Sequence, residues 1–361
     1  MSTLAVSART PVFRRPTMPT ARCLHHMMHS QLTIRGELVA ATGLSQPTVT
    51  RAVTSLVGAG LIHERPDLVR ATGPGRPRIP LEMTPTPWLH IGAAIGADGG
   101  TLGVFDTRGR VLRETTFPPY TDTTGTADTA EHLIAGIHRL LSRLAVPVAD
   151  IGVAVTTPDT GFLGERLTEE FGCPVTVGDL TAALAAAELL TTGATTDPIL
   201  IIHLDRGLTL AVADDDGVTA HPVDTDLGPE ILARRLIDAG FLPDQKPRGF
   251  TGLLPGETPQ TPQLRSLLDD RARDLGETVA RLTRDTGAGT VVLAGPGFTV
   301  DPGGYRELAL AVNPNVDKRV AIRIVPDAAT LARAVARTVA LDRLLSDPAA
   351  VHAELIDRNQ L

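Results

Sequence analysis

A short stretch of the chain concentrates side chains that can hydrogen-bond to a polar surface. These side chains are Ser45, Gln46, Thr48, Thr50 and Arg51. Between them, Val49, Val53 and Leu56 fall at i, i+4 and i+7, the spacing of the buried face of a helix. The polar side chains then lie off that face, near the start of the helix. Side chains of this kind in this place can bond to base edges and phosphates, so the pattern predicts contact with a nucleic acid.

A second basic group follows at Arg70, Arg76 and Arg78. The segment Gly75-Arg76-Pro77-Arg78 is similar to the core of an AT-hook, in which an extended arginine-proline segment enters a narrow minor groove. We therefore expect Arg76 and Arg78 in the minor groove and Arg70 at a phosphate. The alternative is an ordinary Gly/Pro turn whose arginines are incidental.

These side chains need a helix-turn-helix to position them. Thr33 is a natural N-cap for a short helix, and Gly43 can adopt the positive φ that follows a helix end. Ser45 then caps the second helix, and Pro47 lies in its first turn, where a missing N–H costs little. Two short strands, predicted over residues 61–65 and 79–83, form a wing.

A further helix is predicted ahead of this unit, between Thr17 and Gln31, with Leu24 on its apolar side. His25 and His29 on this helix have the i, i+4 spacing of a metal-binding pair. No carboxylate or thiolate lies near them in the sequence, so we expect them to face the surface or the nucleic acid.

The charge distribution supports the same end of the chain. Residues 1–90 hold ten arginines and four acidic residues, a net charge of +6. Since the whole chain has a net charge of −7, the remaining residues carry a net charge of −13. A basic head on an acidic body is typical of a protein that binds phosphates at one end. Chance clustering of surface arginines is the alternative.

The composition bounds the class of protein. Hydrophobic residues make up 42% of the 361 residues, and no run of about 18 apolar residues occurs. The N-terminus has no continuous apolar segment of the signal-peptide kind. Cys23 and Cys173 are far apart and form no CxxC. We expect a cytoplasmic protein with no disulfide framework and no membrane span.

Beyond residue 87, strand pairs alternate with helices, which predicts a two-lobed α/β domain. Hairpins are expected within residues 90–106 and 199–213, and an alanine-rich helix over 181–190. The expected domains are a mobile arm over 1–16, a winged helix-turn-helix over 17–86 and a body over 87–361, whose first lobe comprises about 87–178 plus the helix 328–345 and whose second lobe comprises about 179–327.

The order of these parts resembles the ROK family of repressors, open reading frames and sugar kinases. The similar motifs are TGLSQPTVTRAV (42–53), GRPRIPLEM (75–83) and HIGAAIGADGGTLGVFDTRGRVL (90–112), with weaker similarity in CPVTVGDLTAALAAAE (173–188), IIHLDRGLTLAVADDDG (201–217) and VVLAGPGF (291–298). The resemblance implies a winged helix-turn-helix followed by a two-lobed domain of the actin/hexokinase-like ATPase fold.

The chain departs from the family kinases where the chemistry is done. The kinases open with a D-x-G-G-T loop, and this chain carries Ala94 in place of the aspartate. They also have an Asn-Asp pair before an alanine-rich helix, in which the aspartate is the general base. Alignment without gaps puts Asp179 at the asparagine and Leu180 at the aspartate. A one-residue shift moves Asp179 to the catalytic place but leaves Gly178 at the asparagine.

The family's zinc site needs a Gly-His followed by a cysteine cluster, and two distant cysteines do not provide it. We therefore expect no catalytic residue, no phosphoryl transfer, no metal and no cofactor. Asp179, Asp205 and Arg206 are the candidate effector-binding residues. The charges of Asp205 and Arg206 could bind a polar ligand or merely solvate a loop.

The sequence therefore predicts a sequence-specific transcription regulator that binds double-stranded DNA at an inverted repeat, as a homodimer or a higher homo-oligomer. A small metabolite, not necessarily a sugar, is its expected effector. Two alternatives stay open. One is a sugar kinase with an accessory DNA-binding domain, and the other is a dimeric DNA binder that responds to no ligand.

Overall fold

The computed structural model describes most of the chain. The described residues are 13–69, 78–85, 87–96, 99–117, 126–156, 160–192, 197–223, 227–243, 249–250, 252–254, 261–315, 320–325 and 328–359. Arg78 is among them. Arg70, Arg76 and the turn around Gly75 lie outside the described residues.

Over its described residues, the head has three α-helices and a pair of short strands. Its elements are α1 (Pro19–Met28), α2 (Arg35–Thr42), α3 (Gln46–Gly58), β1 (Ile62–Glu64) and β2 (Leu81–Met83). β1 and β2 pair antiparallel, with Ile62 opposite Met83. An isolated bridge between Thr33 and Leu81 holds this wing against the start of α2. The predicted winged helix-turn-helix is confirmed.

The turn between α2 and α3 has the predicted chemistry, but the start of α2 does not. Gly43 ends α2 with φ of 64°, a conformation that glycine adopts without steric cost. The Ser45 Oγ accepts a hydrogen bond of 3.4 Å from a backbone N–H in the first turn of α3. The predicted N-cap at Thr33 is wrong by one residue. α2 begins after Ile34, whose N–H donates to the Glu37 carboxylate at 3.0 Å.

The body opens with a sheet of five strands, counted over the described residues. Its order is β5-β4-β3-β6-β7, and its strands are β3 (Leu89–Gly96), β4 (Gly99–Phe105), β5 (Val111–Phe117), β6 (Val148–Val155) and β7 (Val175–Asp179). β3, β4 and β5 are antiparallel neighbours, whereas β3, β6 and β7 run parallel. The parallel pairs require helical crossovers, which are α4 (Thr126–Leu141) and α5 (Thr160–Phe171).

A second sheet repeats this arrangement within the described part of the chain. Its order is β10-β9-β8-β11-β12, and its strands are β8 (Ile199–Leu204), β9 (Leu208–Asp214), β10 (Gly217–Pro222), β11 (Thr290–Ala294) and β12 (Ala321–Ile324). Again three antiparallel strands are followed by two parallel ones. The accompanying helices are α7 (Pro229–Asp238), α8 (Pro262–Thr286), α9 (Pro296–Thr299) and α10 (Tyr305–Val312). Among the described residues, no helix is both long enough and apolar enough to cross a membrane.

In the described part of the chain, two helices lie between the sheets, α6 (Leu180–Thr191) and α11 (Ala328–Ser346). One apolar cluster joins both helices to both sheets. The small residues of this cluster allow close packing. A Cβ placed on Gly92 of β3 would lie 1.9 Å from the carbonyl oxygen of Ala336, and one on Gly152 of β6 would lie 2.2 Å from that of Val339. The backbone of α11 therefore rests directly on the first sheet, and the predicted two-lobed α/β architecture is confirmed.

The head and the body share one apolar core. Leu24 and Met27 of α1 belong to the same cluster as Leu341 and Leu344 of α11. The last helix, α12 (Pro348–Asn359), also joins this cluster. The head is thus packed against the C-terminal half of α11.

The N-terminal segment continues onto the body. Residues 1–12 of the expected arm lie outside the described residues. Phe13 is buried, packs in the cluster around α6 and α11, and donates its N–H to Asp342 Oδ1 at 2.8 Å. The mobile arm expected over residues 1–16 is therefore wrong at Phe13, because an enclosed ring and a buried hydrogen bond fix this residue.

Candidate nucleic-acid interface and interlobe cleft

The exposed face of α3 carries three of the side chains that the sequence predicts to contact DNA. Gln46, Thr50 and Arg51 are exposed. The opposite face is buried and consists of Val49, Ala52, Val53 and Leu56. Thr48 is half-buried, and its Oγ1 lies 2.8 Å from the Ser45 Oγ. Ser45 and Thr48 therefore serve the start of the helix, while Gln46, Thr50 and Arg51 are presented to an outside surface.

A groove of about 840 Å³ lies beside this face. α2, α3, β1 and the segment before β2 form its walls. Gln46 and Thr50 line it together with Arg35, Glu64 and Arg78. The fold thus brings Arg78 next to the polar start of α3, although the whole wing separates them in sequence. Contacts by Arg70 and Arg76, outside the described residues, stay predictions.

The acidic residues of the head are held by partners inside the head. Glu37 accepts hydrogen bonds from the hydroxyl of Thr33 and from the backbone at the start of α2. Hydrogen bonding to a guanidinium lowers the pKa of Asp67. Arg51 is exposed on the face of α3, and Arg78 is exposed in the groove, where Arg35, Glu37 and Glu64 are the other charged lining residues. The acidic side chains with arginine partners pair as Glu64 with Arg35, Asp67 with Arg65 and Glu82 with Arg65.

His25 and His29 lie at the edge between the head and the body. His25 and His29 line a cavity with Leu190 of α6 and with Arg15. Their ring centroids are 5.2 Å apart. Burial, followed by the positive neighbourhood of His29, Arg15 and Arg337, lowers the pKa of His25 to about 4. The expected surface position holds for His29, which is exposed, whereas His25 is half-buried on the side of α1 next to the body.

A cleft of about 460 Å³ lies between the two sheets. β3, β4 and β5 of the first sheet form one wall, and the end of β8 with the start of α9 forms the other. α6 and α11 close it with the side chains of Leu184, Leu331 and Val335. The cleft therefore lies between the two lobes of the body.

Of the three predicted effector-binding residues, Asp205 lines this cleft. It directly follows β8 and is 5% exposed. A Cβ on Gly96, at the end of β3, would lie 3.2 Å from its Oδ2, so the carboxylate reaches the facing sheet. Asp179 instead caps α6, with its Oδ1 accepting the Ala182 N–H at 2.8 Å. The Arg206 side chain is exposed and is not part of the cleft lining.

The two positions where the chain departs from the kinases also line the cleft. Ala94 contributes a methyl group from β3, and Leu180 contributes its side chain from the first residue of α6. These are the places at which the resemblance would put the two kinase aspartates. Asp179, one residue earlier, is engaged at the N-terminus of the helix.

Sequence reasoning missed Arg35, His203 and the part that α11 plays. Arg35 lines the groove beside α3, and its place in the first turn of α2 was the available signal. His203 lines the cleft two residues before Asp205, near the end of β8. Leu331 and Val335 carry no local sign of a binding site, because only the chain fold brings α11 between the sheets.

Comparison with known proteins gives curated relatives of similar sequence and solved structures of similar fold. No protein-family model matches the chain. Transcriptional regulators of Mycobacterium tuberculosis and Mycobacterium bovis are 33% identical over 170 residues, which are 43% of this chain and 39% of theirs. The chain thus matches about two fifths of the length of these curated relatives. An uncharacterised protein of Sinorhizobium fredii is 23% identical over 220 residues, 55% of each chain.

The solved structures agree on the fold. A ROK family transcriptional regulator, a homologue of the Escherichia coli Mlc protein, superposes with a TM-score of 0.67 at 17% identity and covers 93% of this chain and 98% of its own. A ROK hexokinase from Thermus thermophilus gives 0.54 at 20% identity, over 71% of this chain and 99% of its own. With the head and both lobes in place, the resemblance in sequence is confirmed in three dimensions: the chain has the fold of the ROK proteins, with the winged helix-turn-helix of their regulators in front of the two-lobed body.

Proposed function

We propose that the chain is a ROK-type transcription regulator of the cytoplasm, which binds double-stranded DNA in a sequence-specific manner through its head. The observation that carries this proposal is the exposed polar face of α3, with Gln46, Thr50 and Arg51, beside a groove that also contains Arg78. The buried opposite face fixes the orientation of the helix. The names of the mycobacterial relatives and of the Mlc homologue support the same function.

The chemistry of each side chain suggests its role. Gln46 can bond to the edge of an adenine, and the Thr50 hydroxyl, which donates to the Gln46 carbonyl at 2.9 Å, can accept a hydrogen bond from a base. The guanidinium of Arg51 suits either a phosphate or a guanine. Arg78, with Arg76 and Arg70, would follow the adjacent minor groove and backbone. Since major-groove contacts specify and phosphate contacts position, Gln46 is the residue most directly tied to base preference.

We further propose that the chain acts as a homodimer or a higher homo-oligomer on an inverted repeat. Two recognition helices about one helical turn apart would read the two half-sites. A metabolite in the cleft between the sheets would alter this spacing through α11, which lines the cleft at Leu331 and Val335 and packs against the head at Leu341 and Leu344.

The test is a fluorescence-anisotropy titration of the full chain with DNA fragments that flank its own gene. Gln46→Ala should change base preference by about 1–3 kcal/mol at one base pair. Arg51→Gln should weaken binding and, if the contact is to a phosphate, lower the salt slope by about one. Arg76→Ala should weaken binding mainly at A·T-rich flanks.

Arg234→Gln is the matched control, because it removes the same charge from an exposed position on α7 in the body. An equal loss of affinity in the Arg51 and Arg234 variants would mean that the face of α3 is not the interface. Uniform weakening by Gln46→Ala on every sequence would argue against direct base readout.

The second candidate function is that of a sugar kinase, and the observations in its favour are the interlobe cleft and the structural similarity to a hexokinase. Phosphoryl transfer needs an acidic group to position the metal and a base for the hydroxyl. Ala94 and Leu180 occupy the corresponding places in the cleft, and Asp179 is bound to the helix backbone. Sugar-dependent ATP hydrolysis would establish the kinase, and its absence with glucose, mannose and N-acetylmannosamine would favour the regulator.

A further inference from the structure

We propose that the cleft between the sheets takes a compact ligand with an apolar body and one cationic group, such as a primary ammonium, and that it discriminates against sugars. The inference rests on the proposed function, since it names the class of effector for the same cleft. It depends on the lining of the cleft and on the place of its charge.

The part of the lining that α6 and α11 contribute is unsuited to a polyol. α6 contributes Leu180 and Leu184, and α11 contributes Leu331 and Val335, so two of the elements that close the cleft present hydrocarbon. Each hydroxyl of an enclosed sugar needs a hydrogen-bond partner, since an enclosed polar group without one is unfavourable. Hydrocarbon walls cannot supply such partners, whereas they favour an apolar body through removal of its surface from water.

The formal charge that the described residues contribute to the cleft has one sign. Among the described residues that line it, Asp205 is the one with a formal charge at neutral pH, counting histidine as neutral. The polar side chains beside it are those of His203 and of three threonines, Thr101, Thr116 and Thr299. A carboxylate in surroundings poor in water attracts a cation strongly and repels a carboxylate or phosphate. The ligand is therefore expected to carry a positive charge.

The position of Asp205 also links the ligand to the two lobes. The carboxylate stands on the loop after β8, yet its Oδ2 lies close to Gly96 at the end of β3. A side chain on Gly96 would crowd Asp205, with its Cβ 3.2 Å from this oxygen. A cation bound at Asp205 therefore lies where the second sheet meets the first, and its apolar body extends toward α6 and α11.

The test uses probes that share a body and differ in the head group. n-Hexylamine, hexan-1-ol and hexanoate are titrated into the full chain by calorimetry at neutral pH, with 2-phenylethylamine as a second amine and glucose as the polyol. The amines should bind at least about tenfold more tightly than the alcohol, because they add a charge-assisted hydrogen bond. Hexanoate and glucose should give no measurable heat.

Asp205→Asn should remove the preference for the amine over the alcohol and leave the alcohol affinity unchanged. Asp215→Asn is the matched control, since it makes the same chemical change on the exposed turn between β9 and β10. Ala332→Phe fills the cleft from α11 and should abolish binding of every probe, which keeps the test valid if the Asp205 variant does not fold.

An amine preference that survives Asp205→Asn, tighter binding of glucose than of the amines, or no binding of either amine would overturn the ligand class. Binding is measured without DNA, so the two proposals fail separately. A chain that binds the amines but no DNA contradicts the regulator, and a chain that binds DNA but no amine contradicts this inference.

Discussion

Substitution of Gly152 by alanine tests the packing that connects the cleft to the head. α11 lines the cleft near its start, at Leu331 and Val335, and packs against the head near its end. Between these ends its backbone rests on the first sheet. A Cβ on Gly152 would lie 2.2 Å from the carbonyl oxygen of Val339 and 2.4 Å from its carbonyl carbon.

The expected cost follows from these distances. An ordinary carbon–oxygen contact is longer by about 1 Å, and the atoms in the way are backbone atoms that cannot rotate aside. Overpacking of a core costs about 1–3 kcal/mol, and we expect a value near 3 kcal/mol because a whole helix has to shift. Against a stability of about 5–15 kcal/mol, this is a large fraction.

The measurement is the free energy of unfolding from urea titrations followed by circular dichroism. With a slope of about 3 kcal/mol per molar urea, the midpoint of the Gly152→Ala variant should fall by about 1 M. Gly161→Ala is the control. A Cβ on Gly161, in α5, would meet no heavy atom of the described residues within 4 Å, so alanine there should be neutral or stabilising by at most about 1 kcal/mol. If Gly152→Ala lowers the free energy of unfolding by less than about 1 kcal/mol, the claim that the backbone of α11 is in direct contact with the sheet is refuted.

Three further outcomes are expected. Burial lowers the folded-state pKa of His25 to about 4, so between pH 6.5 and 4 the unfolded chain binds a proton that the folded chain does not. Stability should therefore decrease as the pH falls through this window, by up to about 3 kcal/mol. Urea titrations at several pH values check this, and an identical pH dependence in His25→Asn would contradict it. Leu56→Ala should destabilise the chain by about 2–5 kcal/mol, since this side chain is 1% exposed. Val57→Ala, at a position that is 38% exposed, should change stability by less than about 0.5 kcal/mol. Equal unfolding midpoints of the two variants would disprove the assigned faces of α3. Burial raises the pKa of Cys173 to about 12 and also raises that of Cys23. Neither thiol should therefore react with Ellman's reagent in the native chain, and both should react in guanidinium. Rapid reaction of either thiol in the native chain would show that its site is open to solvent.

The head could be predicted closely because its signals are local. The turn at Gly43, the cap at Ser45 and the apolar spacing of α3 each lie within a few residues, and each expresses a rule of helix geometry. The error at Thr33 is also local, since the Glu37 carboxylate reaches back to the backbone and moves the helix start by one residue.

The body was predictable in class but not in its site. Alternating strands and helices indicated two lobes, yet Asp179 and Asp205 looked equivalent as candidate ligands in the sequence. The structure separates them, because Asp179 is the cap of α6 while Asp205 enters the cleft. The histidines of α1 could not be placed either, since their neighbours Arg15, Leu190 and Arg337 come from distant parts of the chain.

The sequence by itself determined the polar face of α3 and the wing, because residue type and short-range spacing are enough for these. That Ala94 and Leu180 stand in the places of the kinase aspartates is what the resemblance to the ROK family implies. The tertiary structure alone decided that Asp205 faces the cleft, that Arg78 and Gln46 line one groove and that α11 links the cleft to the head. Those relations join residues that are far apart in the chain, and only the packing of the two sheets and the head fixes their distances.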